Sequence, residues 1–81
     1  MTGDRPAPLG DDDLLAILDE AIADERAAQE KYRRGLDRCA DPEACDVFER
    51  LIEEERAHER ALRERYVEVK KRIGLRGPGG R

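Results

Sequence analysis

The sequence has very little aromatic content: its 81 residues include no tryptophan, two tyrosines and one phenylalanine. Charged residues make up 44% of the chain. A domain of this length buries only about 60% of the surface that its unfolded chain exposes, and few large apolar side chains are present to fill a core. These absences argue against a compact monomeric globule and favour long, solvated helices. A small domain of this kind usually needs a bound metal or a partner for its stability.

Long apolar runs and a strong charge of one sign are also missing. No segment approaches the roughly 20 apolar residues that span a bilayer. The first residues, Met1 to Pro6, contain no apolar stretch of the kind found in secretory signals, so we expect a cytoplasmic location. The net charge is only −4, and most basic residues are interleaved with acidic ones, which argues against a general nucleic-acid-binding protein.

Cysteine is scarce as well. Cys39 and Cys45 are six residues apart, on either side of a predicted turn. They lack the close pairing of a zinc knuckle. We expect them to be small, partly buried thiols; a disulfide across the turn and a reactive thiol are the alternatives.

Acidic and proline residues divide the chain into two predicted helices. Asp11, Asp12 and Asp13 offer a cap and favourable charge at a helix N-terminus. Apolar residues then recur at helical spacing until Pro42, which disfavours the α conformation at Asp41, so the first helix should end near Ala40. Gly35, inside this helix, either permits a close helix contact or is simply tolerated.

The second predicted helix begins at Pro42, with Asp41 as its cap, and ends at Gly74. Because the turn between the helices is very short, they must lie antiparallel. The sequence therefore predicts an all-α, antiparallel two-helix hairpin over residues 11–73. A flexible N-terminal segment, residues 1–10, precedes it, and a flexible C-terminal tail, residues 74–81, follows it. We expect two such hairpins to dimerise into a four-helix bundle.

Four residues that could act as metal ligands or catalytic groups occupy positions of these helices where the pattern calls for apolar side chains. Glu25 and Tyr32 lie on the first helix, and Glu55 and His58 lie on the second. Glu25 precedes Asp41 by 16 residues and Glu55 follows it by 14, so both should lie about 21–24 Å from the turn. Glu55 and His58 share a helix face. Because a buried carboxylate is costly unless it is paired or bound to a metal, the pattern predicts a metal site.

One hairpin supplies only two carboxylates and one imidazole to such a site. A two-fold dimer would double this set to four glutamates and two histidines and would cover the apolar stripes. Di-iron carboxylate bundles use that same set of ligands, and mixed oxygen and imidazole ligands suit iron or manganese. We therefore expect the chain to bind Fe in a di-iron centre and to form at least a homodimer.

The motifs Glu25-x6-Tyr32 and Glu55-x-x-His58, with the turn Cys39-x-Asp41-Pro42-Glu43, resemble the encapsulated ferritins, a two-helix branch of the ferritin-like and rubrerythrin superfamily. The resemblance covers about residues 14–73. It implies a ferroxidase whose di-iron site lies between subunits, with Glu25, Glu55 and His58 as catalytic iron ligands and Tyr32 as a neighbouring catalytic residue. It also implies a ring of dimers, such as a decamer, and iron storage inside an encapsulin nanocompartment in the cytoplasm.

The chain departs from that family at two positions. Ala27 stands where a second acidic residue is usual beside Asp24, and Lys31 occupies a position that is often aromatic, so the departures concern the route of iron to the site. The segment Ile73-Gly74-Leu75 matches only part of the family's C-terminal cargo peptide.

Two other functions fit the same residues. A rubrerythrin-like di-iron peroxidase would need a separate electron donor, because two cysteines at this spacing cannot hold a rubredoxin-type iron site. A metal-free helical dimerisation module would use His58 as an interfacial hydrogen-bonding residue. We expect the remaining acidic residues of this region to form a solvated face beside arginines, namely Glu53, Glu54 and Glu59 with Arg56, Arg60 and Arg63. Attraction of cations toward the site is the alternative for Glu54 and Glu59.

Overall fold

The computed structural model describes residues 6–76, which form two α-helices joined by a short turn. Helix α1 spans Asp11–Asp37 and helix α2 spans Pro42–Arg76. The helices pack side by side and antiparallel, which confirms the all-α hairpin. Within the described part of the chain, neither helix has an apolar stretch long enough to cross a membrane. Residues 1–5 and 77–81, which belong to the segments predicted to be flexible, lie outside the described residues.

The turn is held by a side-chain cap and by a covalent bond. The Glu43 backbone N–H donates a hydrogen bond of 3.1 Å to Asp41 Oδ1, which confirms Asp41 as the cap of α2. A disulfide joins Cys39 to Cys45, whose Cα atoms are 5.7 Å apart. The prediction of two thiols is therefore wrong. The short turn and the first turn of α2 bring the two residues within the Cα separation that a disulfide bridges.

The helix ends differ from their predicted positions by a few residues. Helix α1 stops at Asp37, three residues before Ala40, because the next two backbone N–H groups bond to carbonyls three residues earlier and tighten the last turn. At its start the cap residue is Gly10, so no side chain caps the helix. The three aspartates lie in the first helical turn instead. Helix α2 continues through Gly74 to Arg76.

The core of a single hairpin is small. Among the described residues, only four apolar side chains are buried: Leu18, Ile22, Ile52 and Val69. The radius of gyration is 18.1 Å, whereas a compact domain of this length has about 12 Å. At the open end of the hairpin, the Arg72 guanidinium donates two hydrogen bonds, of 3.3 and 3.1 Å, to Asp11. The hairpin is thus an extended element with a small core, and among the described residues five large apolar side chains are exposed.

Gly35 marks a close contact between the helices. A Cβ atom at this position would lie only 2.8 to 3.1 Å from three atoms of the Phe48 ring. The same ring stacks on Tyr32, with centroids 6.4 Å apart and planes inclined by 25°. Of the two interpretations of Gly35, the structure therefore favours the close helix contact.

Candidate metal centre

Glu25, Glu55 and His58 come together near the middle of the hairpin. Each offers one ligand atom, and the three atoms lie within 4.8 Å of one another. His58 Nδ1 is 3.2 Å from Glu55 Oε1 and 3.6 Å from Glu25 Oε1. Glu55 and His58 meet because they are three residues apart on α2. Glu25 joins them from α1 because it lies at nearly the same distance from the turn.

The two carboxylates are largely withdrawn from solvent. The Glu25 side chain is 23% exposed and that of Glu55 is 18% exposed, whereas His58 is 59% exposed. Glu25 Oε1 is fully buried and accepts no hydrogen bond. A buried acceptor without a donor costs about 1–3 kcal/mol, and more when it is charged. The arrangement therefore leaves a carboxylate oxygen that needs a positive partner.

The imidazole of His58 can donate a good hydrogen bond to only one of these carboxylates. Its Nδ1 atom faces both of them, but one N–H donates one good hydrogen bond, and the shorter contact is to Glu55. The metal-free interpretation of His58, as a residue hydrogen-bonded to a neighbouring glutamate, thus accounts for Glu55 and leaves Glu25 Oε1 unsatisfied. A cation among the three residues would satisfy both carboxylates, with the Nδ1 lone pair as its nitrogen ligand.

The chemistry of the donor atoms fits a transition metal. Two carboxylate groups and one imidazole form a mixed oxygen and nitrogen set, which suits iron, manganese or zinc and is unlike the all-oxygen sets of calcium and magnesium. One hairpin leaves any such ion with open coordination positions. The exposed imidazole lies at the solvent side of the group, so the site opens toward the surface on which His58 lies.

Tyr32 does not join this group. It follows Glu25 by seven residues, so it lies two turns, or about 10 Å, nearer the hairpin turn. Its ring stacks on Phe48, and the Lys31 ammonium lies 5.4 Å from the ring centroid. These contacts give Tyr32 a packing role. A catalytic role for Tyr32 stays a prediction from the family resemblance.

Beside the carboxylates, three residues form a hydrogen-bonded network that the sequence did not reveal. Gln29 Nε2 donates to Glu59 Oε1 at 2.7 Å, across the two helices. Arg63 Nε donates to Glu59 Oε2, also at 2.7 Å. Hydrogen bonds from Arg63 and then Gln29 hold the pKa of Glu59 below its usual range.

Glu59 was expected on a solvated face, yet its side chain is only 18% exposed. The predicted arginine partner is present, as it is for Glu53 with Arg56 at 3.1 Å. The bond to Gln29 was missed because it depends on which way two long side chains lean between the helices. The one sequence signal was that Gln29 and Glu59 each lie four residues after a candidate ligand.

Comparison with known proteins identifies one related family. The family model described as Rubrerythrin matches residues 7–73, which include both helices almost entirely and all three residues of the candidate metal centre. No curated protein matches the chain significantly, and no solved structure does so.

Proposed function

The chain belongs to the rubrerythrin family of ferritin-like, di-iron proteins, and from that premise we propose that it is a ferroxidase. In this proposal the protein oxidises Fe(II) to Fe(III) at a site that two copies of the chain complete. Each copy contributes Glu25, Glu55 and His58. Iron is the substrate, and each Fe(II) ion gives up one electron to dioxygen.

The observation that carries the proposal is the buried oxygen of Glu25, which accepts no hydrogen bond, next to a second carboxylate and an imidazole. An apolar residue at position 25 would avoid the free-energy cost of burying a carboxylate oxygen that accepts no hydrogen bond. A bound cation would offset that cost. Carboxylates are hard, anionic ligands and favour Fe(III) over Fe(II). The same groups that bind the reduced ion therefore assist its oxidation.

The exposure of His58 supports completion of the site by a second copy. One hairpin offers three ligands, and its imidazole lies on an open surface. Val47 precedes His58 by 11 residues, which is three helical turns, so it lies on the same face of α2. Val47 is 42% exposed, which is high for a large apolar side chain. A two-fold contact through this face would cover it and would bring two sets of ligands together.

The proposal is tested by the rate at which the purified protein oxidises added Fe(II), measured by stopped-flow absorbance under air. Glu25→Ala, Glu55→Ala and His58→Ala should each remove the fast phase, because each deletes a ligand from both halves of the site. Glu64→Ala is the matched control, since Glu64 is an exposed glutamate on α2, and it should keep the fast phase. Unchanged rates in all three ligand variants would contradict the proposal.

A rubrerythrin-like peroxidase is the second candidate, and the family match supports it equally. It would use the same three residues and take hydrogen peroxide as the oxidant. Cys39 and Cys45 are bonded to each other, so in this state they are not available as iron ligands and a separate reductant would be required. Faster oxidation of the bound metal by peroxide than by dioxygen, in the same stopped-flow experiment, would favour this candidate.

We also propose that the dimers assemble further into a ring and are stored in an encapsulin shell in the cytoplasm. The support is the resemblance of the motifs and the physical point that an open two-helix dimer encloses no cavity for mineral. Ile73, Gly74 and Leu75, which resemble part of a cargo peptide, lie in the last turn of α2, and Leu75 is 87% exposed. Co-expression with an encapsulin and isolation of the shell tests this; absence of the chain from purified shells would contradict it.

A further inference from the structure

The hydrogen bond between Gln29 and Glu59 lies at the same level of the hairpin as the candidate metal centre. The pair Gln29 and Glu59 and the pair Glu25 and Glu55 are both 30 residues apart in sequence. In each pair, the two members lie on average 15 residues from Asp41, so the midpoint of each pair is about 22 Å from the turn. Gln29 follows Glu25 by four residues, and Glu59 follows Glu55 by four. Each is therefore rotated by about 40° around its helix relative to the glutamate that precedes it.

This rotation places the bond on one side of the carboxylates and His58 on the other. Arg63 follows Glu59 by four residues, so it lies still farther from His58 around α2. The order across the hairpin is therefore imidazole, carboxylates, the Gln29–Glu59 bond, and guanidinium. A bond that crosses the two helices here fixes their relative height where Glu25 and Glu55 must meet.

The network also explains why Glu59 is not a member of the metal-ligand group although it adjoins His58 in sequence. Both of its oxygens are already engaged, Oε1 by Gln29 and Oε2 by Arg63. Arg63 thus holds the Glu59 carboxylate in the orientation in which it accepts from Gln29.

We propose that Gln29, Glu59 and Arg63 are positioning residues for the candidate metal centre: they set the separation of Glu25 and Glu55 and do not bind the metal themselves. This inference rests on the proposed metal-binding function. It predicts that loss of the cross-helix bond loosens the ligands, and thus weakens metal binding, without changing the number of ions bound. Partners that orient metal ligands typically change affinity by about 10–100-fold when removed.

The test is anaerobic titration of the full chain with Fe(II), followed by calorimetry for affinity and native mass spectrometry for stoichiometry. Gln29→Leu keeps the size of the side chain and removes the donor, so it should weaken Fe(II) binding about ten-fold at unchanged stoichiometry. Glu59→Gln keeps one oxygen that can accept from Gln29 but places an amide NH2, which cannot accept, opposite Arg63 Nε. It should therefore weaken Fe(II) binding by no more than about ten-fold, again at unchanged stoichiometry, whereas a direct ligand role for Glu59 would lower the number of ions bound.

The matched control is Arg72→Met, which breaks a cross-helix contact far from the candidate metal centre, to Asp11 at the open end of the hairpin. It should leave the Fe(II) affinity unchanged. An equal loss of affinity in Arg72→Met and Gln29→Leu would show a general effect of hairpin stability and would overturn the inference. Tight binding by Gln29→Leu would overturn it as well, with the proposed function intact. Absence of Fe(II) binding by the unaltered chain would instead overturn the proposed function and this inference with it.

Discussion

At the residue scale, the buried carboxylate of Glu25 is expected to lower the stability of the metal-free protein. Its buried Oε1 has no donor, and it lies close to a second carboxylate. In Glu25→Gln the side-chain amide can donate to Glu55, and one of the two adjacent charges is removed. We expect this variant to unfold with a free energy about 1 kcal/mol higher than the unaltered chain when both are metal-free, as measured by urea unfolding in the presence of chelator.

The same substitution should abolish the stabilisation that Fe(II) confers on the unaltered chain, because ligand-induced stabilisation follows affinity for the folded state. Glu20→Gln is a suitable control, since Glu20 is exposed on the same helix, and it should alter stability by less than about 0.5 kcal/mol. The prediction is wrong if metal-free Glu25→Gln is less stable than the unaltered chain. Glu25 Oε1 would then accept a hydrogen bond that the structure does not show.

The clustering of Glu25, Glu55 and His58 could be predicted from sequence because their positions follow from helix geometry alone. A spacing of three residues brings Glu55 and His58 together, and counting from Asp41 places Glu25 opposite them. The Gln29–Glu59 bond could not be predicted in this way. It depends on side-chain conformations, and an ordinary pair of polar residues at this spacing is equally compatible with solvent exposure.

At the scale of the elements, the contact between Gly35 and Phe48 governs how closely α1 and α2 approach. Alanine normally stabilises a helix interior by about 1 kcal/mol relative to glycine. At Gly35, however, the added Cβ would lie 2.8 Å from the Phe48 ring, and overpacking of this kind costs about 1–3 kcal/mol. We expect Gly35→Ala to lower the free energy of unfolding by about 1 kcal/mol, measured by urea unfolding at fixed protein concentration.

Gly74 provides the matched control for this prediction. It also lies within a helix, but a Cβ there would meet nothing within 4 Å. Gly74→Ala should therefore stabilise the protein, by at most about 1 kcal/mol. Stabilisation by both substitutions would mean that the Phe48 ring moves aside freely and that the close contact does not constrain the helices.

The elements also show which parts of the fold a sequence determines. The hairpin and its Asp41 cap follow from the spacing of apolar residues and from Pro42, and both are confirmed. Helix ends are less well determined, because glycine permits termination without requiring it, and α2 continues past Gly74. The disulfide was not favoured because six residues of separation do not reveal whether two cysteines will face each other.

For the molecule as a whole, the proposed dimer makes the two broad faces of the hairpin unequal. Val47 shares a helix face with His58, whereas Val67 follows His58 by nine residues and so lies half a turn away. The two valines are similarly exposed, at 42% and 51%. Val47→Glu should prevent dimerisation, because the charge would be buried against the second copy. Val67→Glu should leave the dimer intact.

Sedimentation velocity, with and without Fe(II) under anaerobic conditions, distinguishes these outcomes. Fe(II) should shift the unaltered chain and Val67→Glu toward the dimer, because an ion bound between subunits is linked to their assembly. Val47→Glu should stay monomeric at the same protein concentration and should lose the fast phase of Fe(II) oxidation, although its own ligands are unchanged. A monomeric Val47→Glu that still oxidised Fe(II) rapidly would mean that one hairpin suffices, and the requirement for a second set of ligands would then be wrong.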